Sequence, residues 1–485
     1  MLKTWDIFDT LIARRCIEPR LVFHIMEQRL KLSGFTQARI AASQNIAKTL
    51  NNYSLDDIYS EFGRITNLDQ NTCNNLKNIE YQTEIEQAIP ITENILQVKS
   101  GDILITDMYL PESIIRKMLL KCGLTVPVEI VITSNGKSSG RVWKQIAAQN
   151  PFVFHIGDNE ISDIKNPRDV GFDSALTIWS RPNFVENYLL QKDFEFGAYL
   201  REIRLRNPYQ DEIKRKYWEF FTLNIGILII LVQLIDELQK KCGFEYLGFC
   251  GRDAYYLWLI YQKFKEDKHE ISTPNDYLYY SRKIMHTSEK EMAQYFSSKI
   301  NNRKALMIDL AGTGVHLYNL KLNFGLKYSM LMCNFLPQGK KAYPGAVIPE
   351  NWINFFQISN ATLNEDSNFY FYIGHTIAVE LFNRATHNSP IKLNLLEIEN
   401  KIVPDVIFNE TNDTENLDVF LTCVQEVLKT PIKPLIYGGG VEEILNQLAK
   451  IFANLTYPLT GIFYSRHEIN SKVDDLTILK NYRNA

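Results

Sequence analysis

The sequence predicts an α/β protein with parallel sheets and its chemistry at the strand ends. Two observations predict this. Short apolar runs at 103–105, 127–132 and 152–156 alternate with helical stretches, the pattern of strands joined by crossover helices. The alternation returns in the second half, with strands expected at 244–249, 277–281, 305–309 and 329–335. One strand in each half runs out into an acid. The first is Thr4-Trp5-Asp6-Ile7-Phe8-Asp9-Thr10-Leu11, and the second is Ala305–Asp309 followed by Leu310-Ala311-Gly312-Thr313-Gly314.

At 485 residues the chain exceeds one ordinary core, so two or three domains are expected. The first is expected over 1–190. Within it a mostly helical insertion, about 17–97, would lie over the C-terminal edge of the sheet as a lid, and Ser54-Leu55-Asp56-Asp57 opens one of its helices. The polar, Arg- and Asn-rich stretch 191–210 reads as a linker, and 211–485 as the second domain, opening with a helix over 211–241. Past about 345 the pattern weakens, and acidic, Asn-rich 408–416 reads as a surface loop.

Composition excludes some classes. The chain is 45% hydrophobic and 22% charged, as soluble globular proteins are, and its net charge of −3 leaves no footprint for nucleic acid. Seven scattered cysteines without a CxxC pair point to a reducing compartment, and against a disulfide framework or structural zinc. No signal peptide precedes the first strand, so a cytoplasmic location is expected. The most apolar stretch, 220–235, is broken by Asn224, Gly226 and Gln233 and falls short of the ~20 residues of a span. It reads as a buried helix, with a helix lying on a bilayer surface as the alternative.

In the first half, Asp6 and Asp9 follow the first strand, Thr106 the second, Lys137 sits in Asn135-Gly136-Lys137-Ser138, and Asp158 and Asp163 follow the last. Open α/β sheets place chemistry at such ends. Phosphoryl transfer needs a nucleophile, a cation and donors for the phosphate. Asp6 would attack phosphorus, and Asp158 and Asp163 would share Mg²⁺ with Asp6. Thr106 and Lys137 would bind the transferring group. Each residue also has a bland role: turn-former for Asp9, helix cap for Thr106, solvated loop lysine for Lys137, supporting hydrogen-bonder for Asp163. Their joint order is what carries the reading.

That order resembles the haloacid dehalogenase superfamily, most specifically at His155-Ile156-Gly157-Asp158-Asn159-Glu160-Ile161-Ser162-Asp163. The resemblance implies a Rossmann-like phosphatase domain whose helical insertion is the superfamily's cap. Phosphatases of this kind carry a second Asp two residues after the nucleophile. Here that position is Phe8, with Asp9 one place on. Either Asp9 transfers the proton from a shifted position or the acid is weak or absent.

In the second half, Tyr246-Leu247-Gly248-Phe249-Cys250-Gly251-Arg252-Asp253 breaks from a strand into a glycine turn before a helix, an anion-binding arrangement. Arg252 adds a planar cation suited to pyrophosphate, and Arg282 and Lys283 add two more at another strand end. Asp309 would hold a vicinal diol or a metal, and Gly312, Thr313 and Gly314 a terminal phosphate. His316, Glu380 and His387 are further candidates. The set resembles a type I phosphoribosyltransferase over 244–337, although the usual loop has two adjacent acids where this chain has Asp309-Leu310.

Together the halves resemble two-part ribofuranosyltransferases of bacterial polysaccharide assembly. The resemblance implies phosphoribosyl pyrophosphate as donor and a glycan or lipid-linked glycan as acceptor, activated by Asp253. It also implies Mg²⁺ and a cytoplasmic location at the inner face of the membrane, with peripheral membrane contact. The alternatives are a sugar-phosphate sensor governing a phosphatase, a nucleoside-metabolism enzyme, and a scaffold.

Overall fold

The computed structural model describes residues 2–335, 352–354, 363, 367–371, 373, 379–380, 382–410, 417–437 and 440–466. The chain is α/β and divides into two compact units, Met1–Glu212 and Ile213–Ala485.

In the first unit β1 (Leu2–Trp5) leads to a short antiparallel pair, β2 (Ile12–Arg14) and β3 (Ala88–Pro90), which clasps the base of a helical insertion. That insertion is α1 (Leu21–Leu30), α2 (Phe35–Thr49), α3 (Leu55–Thr66) and α4 (Gln70–Gln87). Ser54 caps α3 reciprocally with Asp57, as the sequence signals. Between the helices, the Arg39 guanidinium is fully buried against Glu80 and lies over the rings of Phe23, Tyr59 and Tyr109.

After α5 (Thr92–Ile95) the chain enters the main sheet. It runs β4 (Ile103–Asp107), α6 (Glu112–Lys121), β5 (Glu129–Thr133), α7 (Arg141–Gln149) and β6 (Val153–Gly157). A π-helical turn over Glu160–Lys165, the short α8 (Asn166–Arg168) and β7 (Asp173–Leu176) complete it. The strand order is β5-β4-β1-β6-β7 and every neighbouring pair is parallel, so all five C-terminal ends share one edge.

The stretch 191–210 is not an extended linker. Helices α9 (Phe184–Lys192) and α10 (Phe194–Leu205) occupy most of it, and α10 is buried from Phe196 to Leu205. Its arginines are internal donors: Arg201 bonds the carbonyls of Ser180 and Arg14, and Arg204 pairs with Glu186. Residues that look solvated in the sequence satisfy buried carbonyls instead.

The second unit is led by α11 (Glu212–Cys242), which contains the apolar stretch 220–235. Of its most apolar part 83% is buried inside the protein, so this is a core helix rather than one lying on a bilayer. Its polar interruptions have partners: Asn224 and Asn383 exchange amide bonds, and Gln233 bonds both main-chain groups of Leu435.

Then follow β8 (Tyr246–Cys250), α12 (Tyr255–Asp267), β9 (Asn275–Leu278), α13 (Arg282–Thr287), α14 (Glu289–Ile300), β10 (Ala305–Asp309), α15 (Val315–Phe324) and β11 (Ser329–Met332). With β12 (Trp352–Asn354) and β13 (Asn368–Tyr370) the strands order as β12-β13-β11-β10-β8-β9. The pairs are again all parallel.

An antiparallel hairpin, β14 (Pro390–Ile398) and β15 (Lys401–Phe408), turns at Glu399-Asn400, both with positive φ as such tight turns require. Helices α16 (Leu417–Leu428) and α17 (Val441–Arg466) follow. Strand β9 stops at Leu278, short of the expected 281, because the Ser281 hydroxyl caps α13. Strand β11 likewise stops at Met332 rather than 335. Most of the expected surface loop 408–416 and of the weakly patterned stretch past 345 lies outside the described residues.

Candidate functional site

The parallel sheet of the first unit brings its predicted residues to one edge. Asp6 leaves β1, which sits between β4 and β6. Thr106 lies inside β4, buried, not at a helix cap. The loop after β5 turns Lys137 inward until it is almost wholly buried, so it is no solvated loop lysine. Its ammonium bridges Asp6, in a short ion pair, and Asp163 at 2.6 Å. Asp6, Asp158 and Asp163 each offer an oxygen within 4.8 Å of the others.

Gly157 makes this approach feasible. A Cβ there would lie 2.4 Å from the Asp163 carboxyl carbon, so no larger residue fits without moving that acid. His155, fully buried between Trp143 and Asp163, fixes Asp163 from behind. Burial lowers its pKa to about 4, which keeps the ring neutral. Its Nε2–H donates to Asp163 Oδ1 at 3.2 Å, and Nδ1 accepts the Thr4 hydroxyl at 2.9 Å.

Burial raises Asp6 to about 8 against the pull of Lys137, with Asp163 and Asp158 adding to the rise. Burial and then Asp9 raise Asp158 to about 6. Burial would raise Asp163 too, but the His155 hydrogen bond and Lys137 hold it well below the usual range. Three carboxylates thus gather round one lysine, and two of them resist ionising. An oxygen-only set of carboxylates within reach of one another fits Mg²⁺.

The position two residues after Asp6 is closed to proton transfer. The Phe8 ring carries the Arg14 guanidinium 4.5 Å from its centroid, and Arg14 is paired with buried Glu84. Asp9 adopts a left-handed conformation, φ 59°, with its N–H on the Ile12 carbonyl at 2.7 Å. Its half-buried carboxyl is raised by burial, against Arg14 and Arg201. Asp107, adjacent to Thr106, was missed from the sequence. It gathers the Lys137 loop, and its place next to a strand-end threonine was the available signal.

In the second unit β8 and β10 are neighbours, with Cys250 opposite Asp309. Gly251, φ 86°, turns between their ends. A Cβ on it would lie 3.1 Å from Asp253 Oδ1 and 3.9 Å from Asp309 Oδ1, so both carboxylates converge on this glycine. Burial, then Asp253 and Glu380, pushes Asp309 well up, and burial, then Glu380, raises Asp253 to about 7. The acid facing Asp309 therefore comes from the neighbouring strand end instead of the Leu310 position. Among the described residues no ion pair joins Asp253 or Asp309.

Arg252 lies beside this pair. It donates to Ser389 Oγ at 2.7 Å, and its carbonyl accepts the Ala385 N–H. Burial, and then Arg384, lowers its pKa to about 10. Arg282 and Lys283 are exposed in the first turn of α13, not at a strand end, because Ser281 starts that helix. Gly314, φ 70°, caps α15 and packs on Met330 and Met332, with Thr313 half-buried before it. The Gly312 N–H is already committed to the Asn334 carbonyl at 3.1 Å, which removes one expected phosphate donor. His316 stacks edge-on with His286, and His387 accepts the Tyr277 hydroxyl at 2.6 Å.

No protein-family model matches the chain, and no curated protein does. Among solved structures the chain is similar to an L-2-haloacid dehalogenase from Xanthobacter autotrophicus with chloropropionic acid covalently bound. Identity is 11%, the match covers 41% of this chain and 88% of that one, and the TM-score is 0.27. A likeness that loose carries no argument here, and the functional reading rests on the two sites themselves.

Proposed function

We propose that the chain transfers 5-phosphoribose from phosphoribosyl pyrophosphate to a sugar hydroxyl and then removes the 5-phosphate. The product would be a β-ribofuranoside of the kind built into bacterial surface polysaccharides, on a glycan or lipid-linked glycan acceptor. The observation that carries the reading is the pairing on one chain of two strand-end carboxylate clusters. One has a lysine set between its acids and the other has an arginine beside them.

In the transfer step Asp253 takes the proton of the acceptor hydroxyl as its oxygen attacks C1 of the donor. The bond from C1 to pyrophosphate breaks with inversion, and Arg252, beside the two acids, offsets the leaving charge. Asp309, with Asp253 opposite, holds the ribose hydroxyls, and Thr313 and Gly314 hold the 5-phosphate.

In the second step an Asp6 oxygen attacks phosphorus and the ester P–O bond breaks. The ribose oxygen leaves with a proton supplied by Asp9, while Lys137 and Thr106 hold the phosphoryl oxygens. Water then hydrolyses the aspartyl-phosphate, freeing Asp6 and releasing inorganic phosphate. Asp6, Asp158 and Asp163 would hold Mg²⁺, which neutralises charge on the transferring phosphoryl group.

The test is product analysis of Asp6→Asn. The variant should accumulate acceptor carrying 5-phosphoribose, with dephosphorylation slowed on the order of 10⁴-fold or more, as for loss of a nucleophile. Acceptor carrying plain ribose at the native rate would overturn the order of steps.

A further inference from the structure

Lys137 bridges two acids of the first site, yet it sits in a loop between β5 and α7. Two side chains grip one peptide of that loop from opposite sides. At the end of β4, Asp107 Oδ1 accepts the Lys137 N–H at 2.9 Å and a short bond from the Thr133 hydroxyl. Its Oδ2 accepts the Ser138 N–H at 3.0 Å and the Ser138 hydroxyl at 2.5 Å. On the other side, Asn166 Nδ2 donates to the carbonyls of Lys137 at 2.9 Å and Ser138 at 3.0 Å. Both acceptors are carbonyls, so the orientation of the Asn166 amide is fixed by the bonds themselves.

We propose that Asp107 and Asn166 are positioning residues, a clamp that sets the Lys137 ammonium between Asp6 and Asp163. The grip is specific to this lysine. Asn166 directly follows the π-helical turn that carries Asp163, so one element holds the main chain of Lys137 through Asn166 and its side chain through Asp163. Gly136 lets the loop close this tightly, since a Cβ there would lie 2.7 Å from the Thr133 hydroxyl. Without the Asp107 carboxylate, two N–H groups lose their acceptor and the loop is released on the side facing β4.

The inference rests on the role given to Lys137 in the phosphatase reading, and the test separates the two. Asp107→Ala and Asn166→Ala are made in the native chain and in Lys137→Met, and hydrolysis of p-nitrophenyl phosphate with Mg²⁺ is measured. A displaced catalytic group costs roughly 10²-fold, and that loss is expected in the native background. In Lys137→Met the same substitutions should cost less than about threefold, because they act through the missing lysine. Acetylation of Lys137 by acetic anhydride, followed by mass spectrometry, should speed up by on the order of tenfold in Asp107→Ala as the loop opens locally.

Equal losses in both backgrounds, or unchanged shielding of Lys137, would overturn the clamp. If the native protein cleaves no phosphate ester, the phosphatase reading fails and the acetylation rates alone decide the positioning claim. If Asp107→Ala does not fold, Asn166→Ala, which leaves both N–H bonds in place, decides it.

Discussion

The two strand-end sites solve the same problem differently. In the first, Asp6 and Asp163 are held together by a lysine of the chain itself. In the second, Asp253 and Asp309 converge on Gly251 with no ion pair to either among the described residues. Like charges held close in a recessed site keep a proton or wait for a ligand. The first cluster is bridged internally by a cation, while the second holds two converging acids without one among the described residues. On the proposed function, the first would be the site that cleaves a phosphate ester and the second the site that captures the donor.

Two substitutions break or sharpen this contrast. The larger effect is expected at Asp9. In the proposed phosphatase step Asp9 supplies the proton, since Phe8, beneath Arg14, has none to give. Asp9→Asn should lower the rate of phosphate-ester cleavage by roughly 10²–10⁴-fold while leaving the melting temperature unchanged. An unchanged rate would mean that water alone protonates the leaving oxygen.

The smaller effect concerns pH. Asp253 is raised from 3.8 to about 7 in the folded chain, by burial and then by Glu380. A carboxyl with a raised folded pKa contributes stability that is complete below its unfolded value and lost as pH rises through its folded value. The second unit should therefore lose stability between about pH 4 and pH 7, and Asp253→Asn should flatten that stretch of the profile. A variant whose melting temperature tracks the native one across this range would show that Asp253 does not bear the charge described here.

The first cluster was legible because parallel sheets deliver strand-end residues to one edge, so the gathering of Asp6, Lys137, Asp158 and Asp163 followed from their order. What escaped depends on contacts distant in sequence. Asp253 faces Asp309 only because β8 and β10 pair in one register, which no local pattern states. The clamp on Lys137 depends on how an irregular loop folds back on Asp107 and Asn166. Arg201 and Arg204 looked like linker residues because their carbonyl partners, on Ser180, Arg14 and Trp179, appear only once α10 docks. Arg282 and Lys283 were assigned to a strand end because a serine cap reads much like any turn.

The central claim is that the second unit binds phosphoribosyl pyrophosphate through Asp309. Thermal stabilisation by that donor with Mg²⁺, in the native chain and in Asp309→Ala, tests it most directly. At about 100 times its dissociation constant the donor should add roughly 2.7 kcal/mol to the native second unit and nothing to the variant. No stabilisation of the native chain, or equal stabilisation of both, would contradict the account and leave a phosphatase joined to a unit that does not use this donor.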